Sequence, residues 1–213
     1  MGIFSKKNNE PSAQNVQAPV SGGINLTKGG SAGFSLVKGQ PVTATLEWDG
    51  GSSSRRARGA DLELYALYVT KSGQSKMSKV QGGAVYWNNL QSDGIRHHGD
   101  SLVPGKETVT IDQPDNLAYV LIVAYSAVSN GAGSFKSFGA KAVVTDGKGQ
   151  TVTAPLFNDN PGSYWVAIAR IDLTTEGQVS IKHVEEYSRG GEARPVLYSD
   201  GSHQMDVGPV EFK

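Results

Sequence analysis

Residues 118–125, AYVLIVAY, form the longest apolar stretch of this 213-residue chain and point to its fold. The stretch is apolar at both odd and even positions, which is typical of a strand that is buried on both faces at the centre of a sheet. It is far shorter than the roughly 20 residues that a membrane-spanning helix needs. We therefore expect a central strand of a thick β core and no transmembrane segment.

Strand-like stretches lie on both sides of this one. PVTATLEW (41–48) and DLELYALYV (61–69) alternate between apolar and polar residues, and similar runs recur between clusters of Gly, Asn, Asp and Pro. One window, QVSIKHVEEYSRGG (178–191), is compatible with a strand and equally with a short helix from Ile181 to Tyr187. About ten strands, with no helices to cover a parallel sheet, predict an all-β fold: an antiparallel β-sandwich of two packed sheets with little helix.

Composition narrows the class of protein. Residues 1–22 are polar and aperiodic, which predicts a flexible N-terminal tail before one domain over residues 23–213. The 20 basic residues balance 20 acidic ones, which argues against nucleic-acid binding, because such proteins usually carry a basic face. The absence of cysteine excludes disulfides, Cys-ligated zinc and thiol chemistry. No secretory signal is visible, so we expect a cytoplasmic protein, with weak membrane contact through Ile3 and Phe4 as the alternative.

Oxygen-bearing side chains are concentrated in two places. Asp61 and Glu63 are two residues apart in DLELYALYV, so on a strand they face the same side as Tyr65. The stretch NNLQSDGIRHHGDS (88–101) follows the strand-like GAVYW and reads as a dense polar loop. Ca²⁺ accepts about six to eight oxygens from carboxylates, amides and main-chain carbonyls. Calcium binding and ordinary solvated turns both remain compatible with these residues.

Three enzyme-like features of the sequence have little support. GGSAG (29–33) matches G-x-S-x-G as a string, but a strand-like stretch follows where a nucleophile elbow needs a helix. His97 and His98 are adjacent, so on a strand they point to opposite faces and disfavour a zinc site. A hydrolase with paired carboxylates would need a cleft lined with aromatic residues. The three tryptophans lie in or beside strands, where we expect them to pack: Trp48, Trp87 and Trp165.

Taken together, these stretches resemble the TerD family of bacterial tellurium-resistance and stress proteins. The resemblance is carried by INLTKGG…FSLVKGQ (24–40), LEWDG (46–50), GADLELYALYV (59–69), VYWNNLQSDGIRHHGDSL (85–102) and SFKSFGAKAVVTDGKGQTV (134–152). It covers roughly residues 23–213 and is looser in the last third. The sequence departs from the family pattern at Glu63, where the family has aspartate, and at Ser101, where asparagine is common.

The resemblance implies a calcium-binding β-sandwich without enzyme activity. It implies a scaffold or sensor role in tellurite resistance and stress, in assemblies with sister Ter proteins in the cytoplasm or at the membrane periphery. A carbohydrate-binding calcium lectin is the alternative, and the hydrolase is less favoured. The family's ligand positions fall on Asp49, Asp61, Glu63, Asn88, Asp93 and Asp100, with Asn89 and the carbonyl around Gly94 as helpers.

Overall fold

The computed structural model of the chain describes residues 22–49, 61–101, 105–127 and 134–210. Within these residues the chain forms fifteen strands and two short 3-10 helices, Pro114–Asn116 and Lys136–Phe138. In chain order the strands are β1 (Gly22–Asn25), β2 (Ser31–Ser35), β3 (Val42–Glu47), β4 (Leu62–Thr70), β5 (Gly83–Val85), β6 (Gln91–Ser92), β7 (Ile95–His97), β8 (Lys106–Ile111), β9 (Leu117–Ser126), β10 (Lys141–Thr145), β11 (Gln150–Pro155), β12 (Trp165–Asp172), β13 (Gln178–Tyr187), β14 (Val196–Leu197) and β15 (His203–Gln204).

The strands build two packed sheets, which confirms the predicted β-sandwich. A seven-stranded sheet has the order β1-β11-β10-β3-β8-β7-β6, and a six-stranded sheet has the order β2-β13-β12-β9-β4-β5. Strands β14 and β15 form a separate pair. Strand β1 pairs in parallel with β11, while the other named pairs are antiparallel. The predicted tail lies outside the described residues except for Gly22, which begins β1.

Strand β9 is the doubly buried central strand that its sequence predicts. It lies between β4 and β12, and its side chains alternate between two apolar clusters. Val120 and Ile122 point into the inter-sheet core, which fills the space between the two sheets. Leu121 and Val123 point into a second cluster on the opposite face of the six-stranded sheet, which we call the outer core. The C-terminal segment contributes to the outer core through Leu197 and Met205, as expected for a cover over this face.

The ambiguous window 178–191 is a strand over most of its length. Strand β13 alternates buried and exposed residues, and its pairing with β12 shifts register between Ala167 and Ala169, where β13 has an extra residue. Glu185 lies in this bulge with a φ of +52°, a left-handed conformation that is uncommon for a side-chain-bearing residue. His183 and Glu185 are both buried, and β13 pairs with β12 on one side and β2 on the other, so the helix alternative is excluded.

The polar stretch 88–101 contains more regular structure than its sequence indicates. Strands β6 and β7 form a hairpin inside it, and β7 pairs with β8, so this stretch joins the edge of the seven-stranded sheet. Strands of two or three residues are too short to display a readable alternation, which is why the sequence suggests a loop. No helix among the described residues is long and apolar enough to cross a membrane.

Candidate metal centre

Three of the sequence-predicted ligands form one acidic group. Asp61, Glu63 and Asp100 each bring a carboxylate oxygen to within 4.8 Å of the others. Asp61 directly precedes β4 and Glu63 lies on it, so their two-residue spacing places both on one side of the strand, as predicted. Asp100 follows β7 and therefore comes from the other sheet. Two strand ends from different sheets thus bring the three carboxylates together.

The three carboxylates of the acidic group differ in their exposure to solvent. Glu63 is only 1% exposed, Asp61 is half-buried and Asp100 is exposed. Leu62 and Leu64 point into the inter-sheet core, so Glu63 lies on the side of Tyr65 and the outer core. Buried carboxylates need compensation by hydrogen bonds or by a cation, because desolvation opposes their charge. This gradation would leave one carboxylate accessible for an ion that arrives from solvent.

The donors fit a calcium ion in chemistry and in spacing. Ca²⁺ prefers carboxylate and carbonyl oxygens at about 2.3–2.6 Å, so two oxygens on one ion lie at most about 5 Å apart. The separation within the acidic group, at most 4.8 Å, meets this limit without rearrangement. The group contains no histidine, and an all-oxygen set favours a hard cation over zinc or copper.

Asp93 and Gly94 lie far from the acidic group. They form the turn between β6 and β7, and both have positive φ, +47° and +83°. The Gly94 carbonyl accepts a hydrogen bond from the Asp112 N–H at the Ile111 end of β8. Asp100 lies beside the opposite end of β8, six residues away, which corresponds to roughly 20 Å along a strand. The structure therefore does not bring Asp93 and Gly94 to Asp61.

Asn88 and Asn89 lie in a tight turn after β5. The backbones of Tyr86 and Asn89 pair across this turn, and Asn88 is exposed at its tip. The Asn89 side-chain amide donates to the Ala84 carbonyl at 2.7 Å, so the side chain closes the turn. Turn closure is the common structural use of asparagine at such positions.

Asp49 is placed outside the acidic group. Its backbone N–H donates to the Phe138 carbonyl, and its carboxylate packs against Gly139, where an added Cβ would lie 3.0 Å from Asp49 Cγ. Asp49 also lines a surface cavity of about 480 Å³ with Trp48 and Lys106. The glycine- and serine-rich connection 50–60, between Asp49 and Asp61, lies outside the described residues.

A hydrogen bond from Tyr68 dominates the electrostatics of Asp93. The Tyr68 hydroxyl donates to the Asp93 carboxylate at 2.5 Å, and Ser92 Oγ donates at 2.9 Å. The bond from Tyr68, followed by that from Ser92, lowers the pKa of Asp93 below its usual value. Burial, followed by the bond to Asp93, raises the pKa of Tyr68.

Substituting Tyr68→Phe is expected to raise the pKa of Asp93 and to lower stability mainly at neutral pH. The folded-state pKa of Asp93 lies below its unfolded value, so this hydrogen bond adds stability above about pH 4, which is lost as the pH falls through the folded value. Urea unfolding at pH 7 and pH 3 measures the difference. Tyr198→Phe, whose hydroxyl lies 3.4 Å from Gln204 Oε1, is the control. An equal loss at both pH values would contradict this reading.

Two buried polar residues lie beside the acidic group: Glu107, which the sequence did not single out, and His97, which it indicated only as a weak candidate for zinc or hydrolase chemistry. Glu107 is 2% exposed and accepts the backbone N–H groups of Leu64 and Ser101, which adjoin Glu63 and Asp100. His97 is also buried, and its Nε2 lies 3.6 Å from Glu107 Oε2. The sequence pattern of β7 and β8 could have indicated them, because both residues occupy inward-facing positions on strands whose other inward-facing residues are apolar.

The remaining histidine and tryptophan predictions agree with the structure. His97 is buried and His98 is exposed, with His98 Nε2 2.8 Å from Thr110 Oγ1, so the pair points to opposite faces. Trp48 and Trp165 are buried in the cores, and Trp87 is half-buried. These rings pack against other side chains, as predicted, and Trp48 also lines the surface cavity that contains Asp49.

The fold and the acidic group define a β-sandwich with an all-oxygen candidate metal centre at one end, where segments from both sheets come together. No family model and no curated protein matches the chain. Among solved structures, the chain is similar to a homologue of telluride resistance protein (TerD) from Streptomyces coelicolor A3(2), with 16% identity, a TM-score of 0.48, and coverage of 70% of this chain and 89% of that one. A second similar structure is a protein of unknown function, with 14% identity, a TM-score of 0.46 and the same coverage. Similarity at this level says nothing about shared function.

Proposed function

We propose that this protein is a non-enzymatic calcium-binding protein whose ion is held by Asp61, Glu63 and Asp100. The observation that carries the proposal is the convergence of three carboxylates from two sheets to within 4.8 Å. Like charges at this distance repel one another, and a divalent cation converts that repulsion into attraction. Main-chain carbonyls and water would complete the shell that Ca²⁺ requires.

The placement of the ligands suggests what the ion does for the chain. Glu63 belongs to the six-stranded sheet, whereas Asp100 follows a strand of the seven-stranded sheet. An ion shared by the two would join the sheets at this end of the sandwich. The residues of the chain supply fixed negative charge and orientation, and the ion supplies positive charge when bound.

The biological role is proposed from the sequence resemblance. A calcium-dependent scaffold or sensor in a bacterial tellurite-resistance or stress assembly fits a protein that binds an ion at the junction of its sheets. Partners would be sister Ter proteins, in the cytoplasm or at the membrane periphery. Because the chain has no cysteine, it would not reduce tellurite with thiols of its own.

Calcium titration of the chelator-treated full chain tests the proposal. We expect measurable heat and a rise in melting temperature with millimolar Ca²⁺, because a ligand that binds only the folded state stabilises it. Asp93→Asn should bind within about twofold of the wild type, since Asp93 lies roughly 20 Å away along β8. Absence of both heat and thermal shift would overturn the function. A loss of binding in Asp93→Asn would overturn this choice of ligands.

A further inference from the structure

A single buried carboxylate contacts both segments that carry the acidic group. Glu107 lies on β8 in phase with Val109 and Ile111, so its side chain points inward, and that side chain is 0% exposed. Its Oε2 accepts the N–H of Leu64 at 2.6 Å, and its Oε1 accepts the N–H of Ser101 at 3.0 Å. Leu64 adjoins Glu63, and Ser101 adjoins Asp100. Each oxygen of Glu107 is therefore bonded to the neighbour of one candidate ligand.

The topology explains why β4 needs a carboxylate at this point. Strand β5 pairs with β4 from Tyr68 to Ala66 and ends at Val85, opposite Ala66. Beyond Ala66, no strand among the described residues pairs with that edge of β4, and the Leu64 N–H bonds to Glu107 instead. A buried main-chain N–H without an acceptor is strongly unfavourable, and Glu107 supplies the acceptor from the other sheet.

His97 on β7 lies beside the same contact. Its Nδ1 accepts the N–H of Gly99 at 3.1 Å, so the ring proton lies on Nε2. Nε2 faces Glu107 Oε2 at 3.6 Å, and both side chains are 0% exposed. The bond to Gly99 also fixes the turn that leads from β7 to Asp100. His97 and Glu107 thus hold the Asp100 segment from two sides.

The same arrangement occurs elsewhere without a ligand-bearing segment. Glu185 Oε1 accepts the N–H groups of Phe157 and Asn158, both at 2.6 Å. His183 Nδ1 accepts the N–H of Gly29 at 3.1 Å, and His183 Nε2 lies 4.0 Å from Glu185 Oε2. This pair lies on β13, three strands from β4 in the same sheet, which corresponds to roughly 14 Å. It offers a control with the same residue types and a buried side chain, in which a single carboxylate oxygen accepts both N–H groups.

We propose that Glu107 is a positioning residue that holds Glu63 and Asp100 in place before an ion arrives. The proposal rests on the proposed function, because the segments it holds are those of the calcium centre. Glu107 acts through the main chain of Leu64 and Ser101 rather than as the source of charge for the ion. Its length and its two acceptor oxygens are both required.

Three variants of the full chain test this role: Glu107→Gln, Glu107→Asp and the control Glu185→Gln. Glutamine keeps the length but replaces one acceptor oxygen with an NH₂ group that cannot accept a hydrogen bond. Aspartate keeps the charge but is one methylene shorter. Amide hydrogen exchange in chelator measures the Leu64 and Ser101 N–H groups without any ion, and calorimetry measures calcium affinity.

We expect both Glu107 variants to lose protection at Leu64, at Ser101 or at both, by about tenfold beyond the change at core amides of β9. Their calcium affinity should fall about tenfold. Glu185→Gln keeps the one oxygen that accepts both N–H groups, so it should retain protection at Phe157 and Asn158 and bind calcium within about twofold of the wild type. If Glu107→Gln fails to fold, Glu107→Asp carries the same two measurements.

Three outcomes overturn the positioning role. The first is unchanged protection at both Leu64 and Ser101. The second is that Glu107→Asp binds calcium with wild-type affinity while Glu107→Gln binds it weakly. That result would mean that Glu107 contributes only its negative charge. The third is an equal loss of affinity in Glu185→Gln, which would reflect general destabilisation. If the wild type binds no calcium, the proposed function fails, whereas exchange in chelator still decides whether Glu107 holds the two segments.

Discussion

Replacing Asp61 and Asp100 together by asparagine is expected to lower calcium affinity at least 100-fold, about 2.7 kcal/mol of binding free energy. The two substitutions preserve side-chain size and one oxygen each, but remove two of the three negative charges that lie within 4.8 Å of one another. Charge on the ligands is a main determinant of affinity for Ca²⁺. The rise in melting temperature that calcium gives the wild type should therefore disappear.

The same double variant should be more stable than the wild type when calcium is absent. Two carboxylates about 5 Å apart repel each other by roughly 1–3 kcal/mol between the dielectric limits of bulk water and the protein surface, and the lower end applies to pairs that include the exposed Asp100. Asparagine removes this repulsion. Calorimetric melting in chelator and in calcium measures both effects, with opposite signs expected for the two conditions.

A double variant with the same change in charge provides the control. Asp93→Asn with Asp112→Asn also removes two carboxylates, but Asp93 is bonded to Tyr68 and Asp112 is paired with Arg96 at 3.2 Å. This control should lose stability in chelator and retain its calcium response. If the Asp61/Asp100 variant instead melts below the wild type in chelator and binds calcium normally, the acidic group is not an ion site.

The fold was predictable wherever a strand was long enough to show its pattern. The apolar stretch of β9 indicated a doubly buried strand, and the alternation of β4 placed Leu62 and Leu64 on the inter-sheet side. Hydrophobic period alone could not assign β13, because its buried polar residues His183 and Glu185 weaken the apolar alternation. The structure resolves it through pairing with β12 and β2, which is information that a single window does not contain.

The sequence predicted the chemistry of the candidate site better than it predicted which residues form the site. The two-residue spacing of Asp61 and Glu63 fixes their common side without any tertiary information. Asp93 and Asp100 look equivalent in a polar stretch, yet the β6–β7 hairpin sends them to opposite ends of β8. The role of Glu107 was not predictable from its local sequence, because that role depends on a contact between two sheets. Contacts between sheets depend on the register of strand pairing and on where each strand ends, which a local sequence pattern does not specify.

Substituting Trp165→Ala is expected to lower the free energy of unfolding by about 3–5 kcal/mol, the usual cost of removing a large aromatic side chain from a core. Trp165 is fully buried in the outer core, with ring centroids 4.5 Å from Tyr125 and 4.9 Å from Tyr65. Its indole N–H donates to the Glu192 carbonyl at 2.9 Å and so ties the C-terminal segment to β12. Alanine would leave a cavity and free this segment. Urea unfolding measures the loss.

The matched variant Trp165→Phe separates packing from the hydrogen bond. Phenylalanine keeps much of the apolar ring but lacks the indole N–H, so we expect the free energy of unfolding to fall by about 1–2 kcal/mol.

Tyr125 pairs directly with Glu63 across β4 and β9, so loosening the ring cluster should also weaken calcium binding in Trp165→Ala more than in Trp165→Phe. A loss below about 1 kcal/mol in Trp165→Ala would mean that the outer core does not stabilise this end of the sandwich, since a buried tryptophan removed from a packed core costs several times more. Normal affinity in a strongly destabilised Trp165→Ala would mean that Glu63 is held from the inter-sheet side alone, through the bond between Leu64 and Glu107.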